Sequence, residues 1–168
     1  MCDIYSNTSE YSSLAAGAGS KVVSFHADDD LVTQAYLRFA AINADVLPLV
    51  MDFRNPSPGY GICNKFAAPA TARLACDMVL ALDCIPHFVF NYRLGLSQIA
   101  AGLAAFAKKW VLVAFDPAQD KLQQDGYAEY FAWYRVENFT KALQNVFPRV
   151  ELVTSEPHPI FLCHAGNT

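Results

Sequence analysis

The sequence predicts an α/β fold, with an open and mostly parallel β-sheet, helices on both faces and an antiparallel β-hairpin at the C-terminal end. Short, continuous apolar runs begin at residues 21, 46, 77 and 110, and helical patterns lie between the first two and between the last two. Continuous apolar runs are typical of parallel strands covered on both faces. Two later runs are joined only by "SEPH", and so short a loop can connect only antiparallel strands. The alternation of strands and helices indicates a Rossmann-like arrangement.

The strands are predicted from runs of β-branched and other apolar residues. The first run, "MCDI", is short and is predicted to end at Asp3. The runs that follow are "KVVSF" (21–25), "VLPLVM" (46–51), "DMVLAL" (77–82), "WVLVAF" (110–115), "RVELVT" (149–154) and "PIFLCH" (159–164). The proline-rich segment 55–70 is predicted to be a long irregular connection, of the kind that often covers a site.

Three helices are predicted from apolar residues at helical spacing, over 29–42, 97–109 and 136–147. Asp28 is the expected N-cap of the first and Ser97 of the second, because their side-chain oxygens can accept from free backbone N–H groups. Lys108 and Lys109 would then lie in the last turn of the second helix. The apolar stripes are Val32, Ala35, Phe39 and Ile42, then Ile99, Leu103 and Phe106, then Val136, Phe139, Leu143 and Val146.

Composition and charge exclude several classes of partner. The 168 residues are 54% hydrophobic and 17% charged, which predicts one globular domain over 1–168, with its first strand truncated. The net charge of −4, with no basic cluster beyond Lys108 and Lys109, argues against a nucleic-acid partner. The apolar run 99–107 is too short to cross a bilayer, and the N-terminal residues lack the features of an export signal. We therefore expect a cytoplasmic protein without a membrane partner.

The metal-binding residue types show no ligand spacing. No pair of the five cysteines forms a C-x-x-C motif, and their odd number argues against a disulfide framework. The four histidines form no H-E-x-x-H motif. Reduced thiols and no metal are expected.

Acidic and aromatic residues follow successive predicted strands. His26 and Asp28 come after the second strand, and Asp52 and Phe53 after the third. Ligands of open α/β sheets bind at the carboxyl ends of the strands. A carboxylate at the second strand can accept from ribose hydroxyls, and a carboxylate followed by an aromatic ring at the third can bind adenine. The ordered set favours an adenosine ligand.

The stretch "DIYSNTSEYSSLAA" (3–16) has the form of a nucleotide-binding loop that leads into a helix. Asn7 is predicted to cap this helix, and Glu10 stands three residues later, as in a capping box.

These segments resemble the class I S-adenosylmethionine-dependent methyltransferases, particularly a bacterial group related to nodulation-type methyltransferases. The resemblance extends over nearly the whole chain. Its most specific stretches are "LPLVMDFRNPSP" and "FAWYRVENF", together with "VVSFHADDDLVTQAY" and "DMVLALDCIPHF".

The resemblance implies S-adenosylmethionine as cofactor and methyl transfer to an unidentified acceptor, most simply a small molecule. It implies that the loop from Asp3 to Ser9, with Tyr5 and Asn7, holds the methionine side of the cofactor. His26 and Asp28 then fall at the ribose, and Asp52 and Phe53 at the adenine. The stretch from Leu82 to His87 would face the transferred methyl, with His87 as the base or as a group that orients the acceptor.

The chain departs from the family pattern at several of these positions. The family loop reads roughly D-x-G-x-N-x-G, and here Tyr5 and Ser9 stand in the glycine places. His26 stands where the ribose acid is expected, which leaves Asp28 two residues on. A catalytically inactive methyltransferase-like domain is therefore the alternative hypothesis. A nicotinamide-dinucleotide domain is a third, disfavoured by the absence of G-x-G-x-x-G and by the terminal hairpin.

Overall fold

Seven strands pair into one sheet in the computed structural model, which describes residues 1–5, 9–123 and 127–166, without the side chains of residues 64 and 119. Their order across the sheet is β3-β2-β1-β4-β5-β7-β6. The strands are β1 (Cys2–Ile4), β2 (Val22–His26), β3 (Val46–Val50), β4 (Cys76–Ala81), β5 (Ala107–Ala114), β6 (Arg149–Thr154) and β7 (Ile160–His164).

The first five strands run parallel, and the last two form an antiparallel hairpin inserted with β7 against β5. The predicted fold class is confirmed. This order differs from the 3-2-1-4-5-6 order of dinucleotide-binding sheets, because β7 lies between β5 and β6. The order reverses beside β1, whose two neighbours are β2 and β4. A crevice is expected at the carboxyl ends of these strands.

Helices connect the strands and cover the sheet. The longer α2 packs on β2 and β3, whereas α4 packs on β5 and on α7. None of the helices within the described ranges is long and apolar enough to cross a bilayer. The helices are α1 (Glu10–Gly17), α2 (Asp29–Ala41), α3 (Ala70–Arg73), α4 (Leu96–Ala104), α5 (Gln119–Leu122), α6 (Tyr127–Tyr130) and α7 (Val136–Gln144), with a 3-10 turn at Ile62–Asn64 and a π-helical turn at His87–Asn91.

The predicted cap of α2 is confirmed. Asp28 Oδ1 accepts hydrogen bonds from the backbone N–H groups of Asp30, at 2.9 Å, and Leu31, at 3.2 Å. This satisfies two of the donors that a helix start leaves without intrahelical partners.

The predicted boundaries of the second helix are wrong at both ends. The helix begins at Leu96, and the N–H of Gly95 donates to Gln98 Oε1 at 2.9 Å, so Ser97 is not the cap. It ends at Ala104, and Lys108 and Lys109 belong to β5. The reason is tertiary, because β5 gains a ladder with β4 from Ala107 onward that outweighs the helical pattern of the sequence.

The helix after the opening loop begins at Glu10, two residues later than a cap at Asn7 predicts, and Ser9 occupies its N-cap position without a side-chain capping bond. Asn7, the predicted cap, lies outside the described residues.

Aromatic packing joins α4 to the loop after β3. Phe53 is buried, and its ring stacks on Phe88 with the centroids 4.5 Å apart and the planes 8° from parallel. Gly102 of α4 faces the same ring, and a β-carbon there would lie 2.6 Å from Phe53 Cζ. Glycine is therefore required at this position by the close approach of a buried ring.

A Gly102→Ala variant is expected to lose about 1–3 kcal/mol of unfolding free energy, because the added methyl group would force the Phe53 ring to shift from its stacked position on Phe88. The measurement is urea denaturation. Gly17→Ala in α1 is the matched control, since no atom lies within 4 Å of the added methyl group. It should be neutral or stabilising by up to about 1 kcal/mol, as expected from helix propensity. Equal losses in both variants would contradict this account.

Candidate cofactor site

A cleft of about 480 Å³ lies at the carboxyl edge of the sheet, at the point where the strand order reverses. Its volume falls within the usual range of small-molecule sites. Residues after β1, after β2 and from the π-helical turn line it: Tyr5, His26, Ala27, Asp28, Leu31, His87, Asn91 and Tyr92. The structure thus brings Tyr5, His26, Asp28 and His87, four of the predicted site residues, around one opening.

The loop after β1 retains a glycine-like backbone at both positions where the family pattern has glycine. Tyr5 has φ 63° and Ser9 has φ 59°, both in the left-handed region. A bulky residue in this region costs on the order of 1 kcal/mol, a cost that glycine avoids. The backbone at these two residues therefore has the conformation that glycine favours, while the side chains differ.

The Tyr5 side chain lies inside the cleft. Its ring centroid is 4.0 Å from that of His26 and 4.5 Å from that of His87. Its hydroxyl oxygen lies 2.5 Å from His87 Nε2 and 3.1 Å from the Tyr92 hydroxyl. Burial, followed by the hydrogen bond with Tyr92, raises the pKa of Tyr5. A neutral phenol can donate to one of these partners and accept from the other.

His26 is a buried imidazole at the end of β2, with only one ring nitrogen engaged. The backbone N–H of Asp28 donates to its Nδ1 at 2.9 Å, so the proton of the neutral ring is on Nε2. That Nε2 is buried and has no hydrogen-bond partner among the described residues. Burial lowers the pKa of His26, an effect that outweighs the opposing charge of Asp28. His26 therefore presents a buried N–H donor to which residues 1–5, 9–123 and 127–166 offer no acceptor.

Asp3 is the middle residue of β1, which ends at Ile4 rather than at Asp3 as predicted, and its side chain contacts α1. Its carboxylate is buried and accepts a hydrogen bond from Ser12 Oγ at 2.6 Å. This contact fixes the start of α1 against β1. Its role toward a cofactor stays a prediction.

The two residues predicted at the adenine are engaged within the protein. Asp52 forms a bidentate ion pair with Arg54, whose Nη2 donates to Oδ2 at 2.6 Å and whose Nε donates to Oδ1 at 3.1 Å. Hydrogen bonding from Arg54 lowers the pKa of Asp52. The guanidinium carbon of Arg54 lies 3.8 Å from the centroid of Tyr92. One face of Phe53 is covered by Phe88, so the adenine-stacking role of Phe53 stays a prediction.

His87 opens the π-helical turn and reaches the cleft, whereas Leu82 is half-buried just after β4. Burial, followed by the positive charge of Lys121, lowers the pKa of His87. The imidazole is therefore neutral near pH 7 and can accept a proton. No group of three or more histidine, cysteine or acidic residues in the described part of the chain is arranged to hold a metal.

Sequence reasoning missed two contributors, Arg54 and Tyr92. Arg54 stands two residues after Asp52, a spacing that can indicate an ion pair within a turn. Tyr92 gave no signal, because its position depends on the π-helical turn, in which the Tyr92 N–H donates to the His87 carbonyl at 3.3 Å. In an ordinary α-helical turn, the Tyr92 side chain would have pointed in a different direction.

The comparisons with known proteins agree on the fold. The nodulation protein NoeA of Rhizobium meliloti (strain 1021) is 29% identical over 147 residues, which cover 85% of this chain and 31% of NoeA. A crystal structure of monomeric WbdD superposes with a TM-score of 0.70 at 12% identity, covering 99% of this chain and 36% of WbdD. The chain has the class I methyltransferase fold. Its resemblance to this family is thereby confirmed at the level of the fold.

The magnesium protoporphyrin IX methyltransferase ChlM from Synechocystis PCC 6803, solved with bound SAH, has the same fold. It matches with a TM-score of 0.60 at 16% identity, over 97% of this chain and 71% of ChlM. Another WbdD structure is described as that of a bifunctional kinase-methyltransferase. No family model matches the sequence. The chain spans about a third of the length of NoeA and WbdD.

Acidification from pH 7.5 to 5 is expected to lower the free energy of unfolding through His26 and His87. Both have a pKa below 6.5 in the fold, so the unfolded chain binds more protons in this window. Their stabilising contribution is complete above about pH 6.5 and is lost as the pH falls toward the folded-state values. Urea denaturation at both pH values measures the loss.

A His26→Gln variant should show a smaller loss of stability on acidification than the wild type. His158→Gln is the control, because His158 is exposed and lies outside the cleft. An unchanged pH dependence in His26→Gln would contradict the assignment of His26 as a buried neutral ring.

Proposed function

We propose that this chain is a methyltransferase domain that binds S-adenosylmethionine in the cleft at the carboxyl ends of β1, β2 and β4. The observation that carries the proposal is the buried His26 Nε2–H at the reversal of the sheet, a donor for which the described part of the chain supplies no acceptor. An unsatisfied buried donor is costly, and a ligand oxygen would satisfy it. The cleft residues therefore fit a ribose-containing ligand.

The chain's own residues divide the binding task. Asp28 lines the cleft and would accept from a ribose hydroxyl, while Asp52 and Phe53 would lie toward the adenine. The loop from Asp3 through Tyr5 and Asn7 to Ser9 would hold the methionine part. When bound, S-adenosylmethionine supplies a methyl group on a sulfonium centre.

Methyl transfer from a sulfonium is a displacement, so the protein mainly has to align the acceptor and remove its proton. His87 is the proposed base, with Leu82 close to the reacting face. Its lowered pKa keeps Nε2 available as a proton acceptor at neutral pH. In the structure this nitrogen is in contact with the Tyr5 hydroxyl, so proton removal also requires Tyr5 to move or to relay the proton.

A second cavity, of about 550 Å³, is our proposed acceptor site. Pro86 lines it, while the next residue, His87, lines the cleft. Its walls combine proline rings with polar groups of both charges, which suits a small polar molecule. The polar lining residues are Asp116, Asp120, Lys121 and His158.

We also propose, from the sequence, that the protein is cytoplasmic.

Isothermal titration with S-adenosylhomocysteine tests the proposal, with ligand up to millimolar concentration. Asp28→Asn should weaken binding about tenfold or more, since a hydrogen bond to a charged group contributes roughly 1.5–3 kcal/mol. Asparagine caps helices as well as aspartate does, so α2 should be preserved. Asp29→Asn, one residue further along the same turn and outside the cleft, is the matched control and should bind like the wild type.

Absence of heat at millimolar ligand would overturn cofactor binding by this chain. Saturable binding of NADH, followed by its fluorescence, in place of S-adenosylhomocysteine would favour a dinucleotide-binding domain instead.

An inactive methyltransferase-like domain is the second candidate, and one observation favours it. The Tyr5 ring occupies part of the cleft and contacts the imidazole rings proposed for ribose binding and for catalysis. If this arrangement is permanent, the fold persists without the activity. The titration separates the two candidates, because only the first requires the wild-type chain to bind.

A further inference from the structure

Contacts from two parts of the chain hold the Tyr5 side chain in the cleft. The hydroxyl group meets His87 and Tyr92 of the segment after β4. The ring lies against His26 at the end of β2 and meets Phe88 edge-on, with the centroids 5.2 Å apart. Only 4% of the residue's surface is exposed. The ring is therefore seated as a packed group rather than as a mobile surface side chain.

The backbone beneath this ring is strained. Tyr5 has φ 63°, a conformation that is uncommon for a bulky residue. Its N–H nevertheless donates to the Phe25 carbonyl at 2.9 Å, which anchors the residue to β2. The side-chain contacts thus stabilise a backbone state that a smaller residue would adopt at less cost.

The Tyr5 ring lies beside His26, whose Nε2 has no partner among the described residues. The ring centroids of Tyr5 and His26 are 4.0 Å apart, and a phenol ring offers no acceptor comparable to an oxygen. The Tyr5 hydroxyl, which could accept, is directed instead to His87 and Tyr92. His26 Nε2 is therefore buried next to a ring that does not satisfy it.

We infer that the Tyr5 ring is a displaceable plug that competes with the nucleoside ligand for the cleft. In the structure the plug is in place. When the ring leaves, the N–H at His26 Nε2 becomes a donor to a ribose oxygen of the ligand, and His87 Nε2 loses its contact with the phenol. Tyr5 is then the residue that determines the affinity of the site for this ligand. The inference rests on the proposed cofactor binding.

The plug lowers the affinity for the ligand in proportion to the fraction of molecules in which it occupies the cleft. The observed dissociation constant equals the intrinsic one divided by the fraction of molecules with the cleft open. A plug in place in about nine molecules of ten weakens binding about tenfold by this relation. Removing the ring should therefore strengthen binding by the same factor of about ten.

Titration with S-adenosylhomocysteine of a variant series tests the inference. Tyr5→Gly and Tyr5→Asn remove the ring with residues that tolerate the left-handed backbone, so one serves if the other misfolds. Both should bind at least about tenfold more tightly than the wild type. Tyr5→Phe keeps the ring and loses only the hydroxyl contacts, so its gain should be smaller.

Asn43→Gly is the matched control for relief of backbone strain alone. Asn43 has φ 49°, and it lies outside the cleft, between α2 and β3. Its affinity for the ligand should equal that of the wild type.

The outcomes separate this inference from the proposed function. If the wild type binds and neither small variant binds more tightly, the plug is wrong while cofactor binding stands. If only the small variants bind, the plug is correct and the wild-type chain belongs to the inactive class. If none binds at millimolar ligand, both proposals fail.

A measurement without ligand tests the plug directly. With histidine labelled by ¹⁵N, the ring N–H of His26 should exchange slowly with water in the wild type and much faster in Tyr5→Gly. Exposed His158 provides the fast reference. Exchange in the wild type as fast as that of His158 would overturn the plug.

Discussion

The pairing of β1 with strands on both sides is the constraint on which the rest of the site depends. Cys2, Asp3 and Ile4 are all buried and pair with β2 on one side, and Cys2 and Asp3 also pair with β4 on the other. This short strand fixes the point where the sheet reverses its order. The residue that follows it, Tyr5, must then emerge between the ends of β2 and β4, where His26 and His87 stand.

Two carboxylates that follow neighbouring strands are engaged within the protein. Asp52, after β3, forms an ion pair with Arg54, which also packs on the Tyr92 ring. Asp28, after β2, lines the cleft, and its carboxylate accepts hydrogen bonds from backbone N–H groups at the start of α2. Because the ion pair is exposed, it contributes little to stability. The hydroxyl of Tyr92, the ring on which Arg54 packs, lies 3.1 Å from that of Tyr5. Tyr92 thus connects the Asp52–Arg54 ion pair to Tyr5 in the cleft.

Features that depend on neighbouring residues in the chain could be predicted from the sequence. Features that are decided by contacts between distant parts of the chain could not. The Asp28 cap and the terminal hairpin depend on a few neighbouring residues, and both were predicted correctly. The assignment of Lys108 and Lys109 failed, because pairing with β4 decided their conformation. The site followed the same rule: residues after strands could be named, but the direction of each side chain could not. The π-helical turn that brings Tyr92 to Tyr5 has no sequence pattern of its own.

The left-handed backbone at Tyr5 also limits how this loop can change by mutation. A single base change converts a tyrosine codon to asparagine or aspartate, both of which tolerate that conformation. Glycine requires two changes in the same codon. The most accessible substitutions that remove the ring without straining the turn therefore introduce a short polar side chain, so a carboxylate or an amide would arise in the cleft more readily than a glycine.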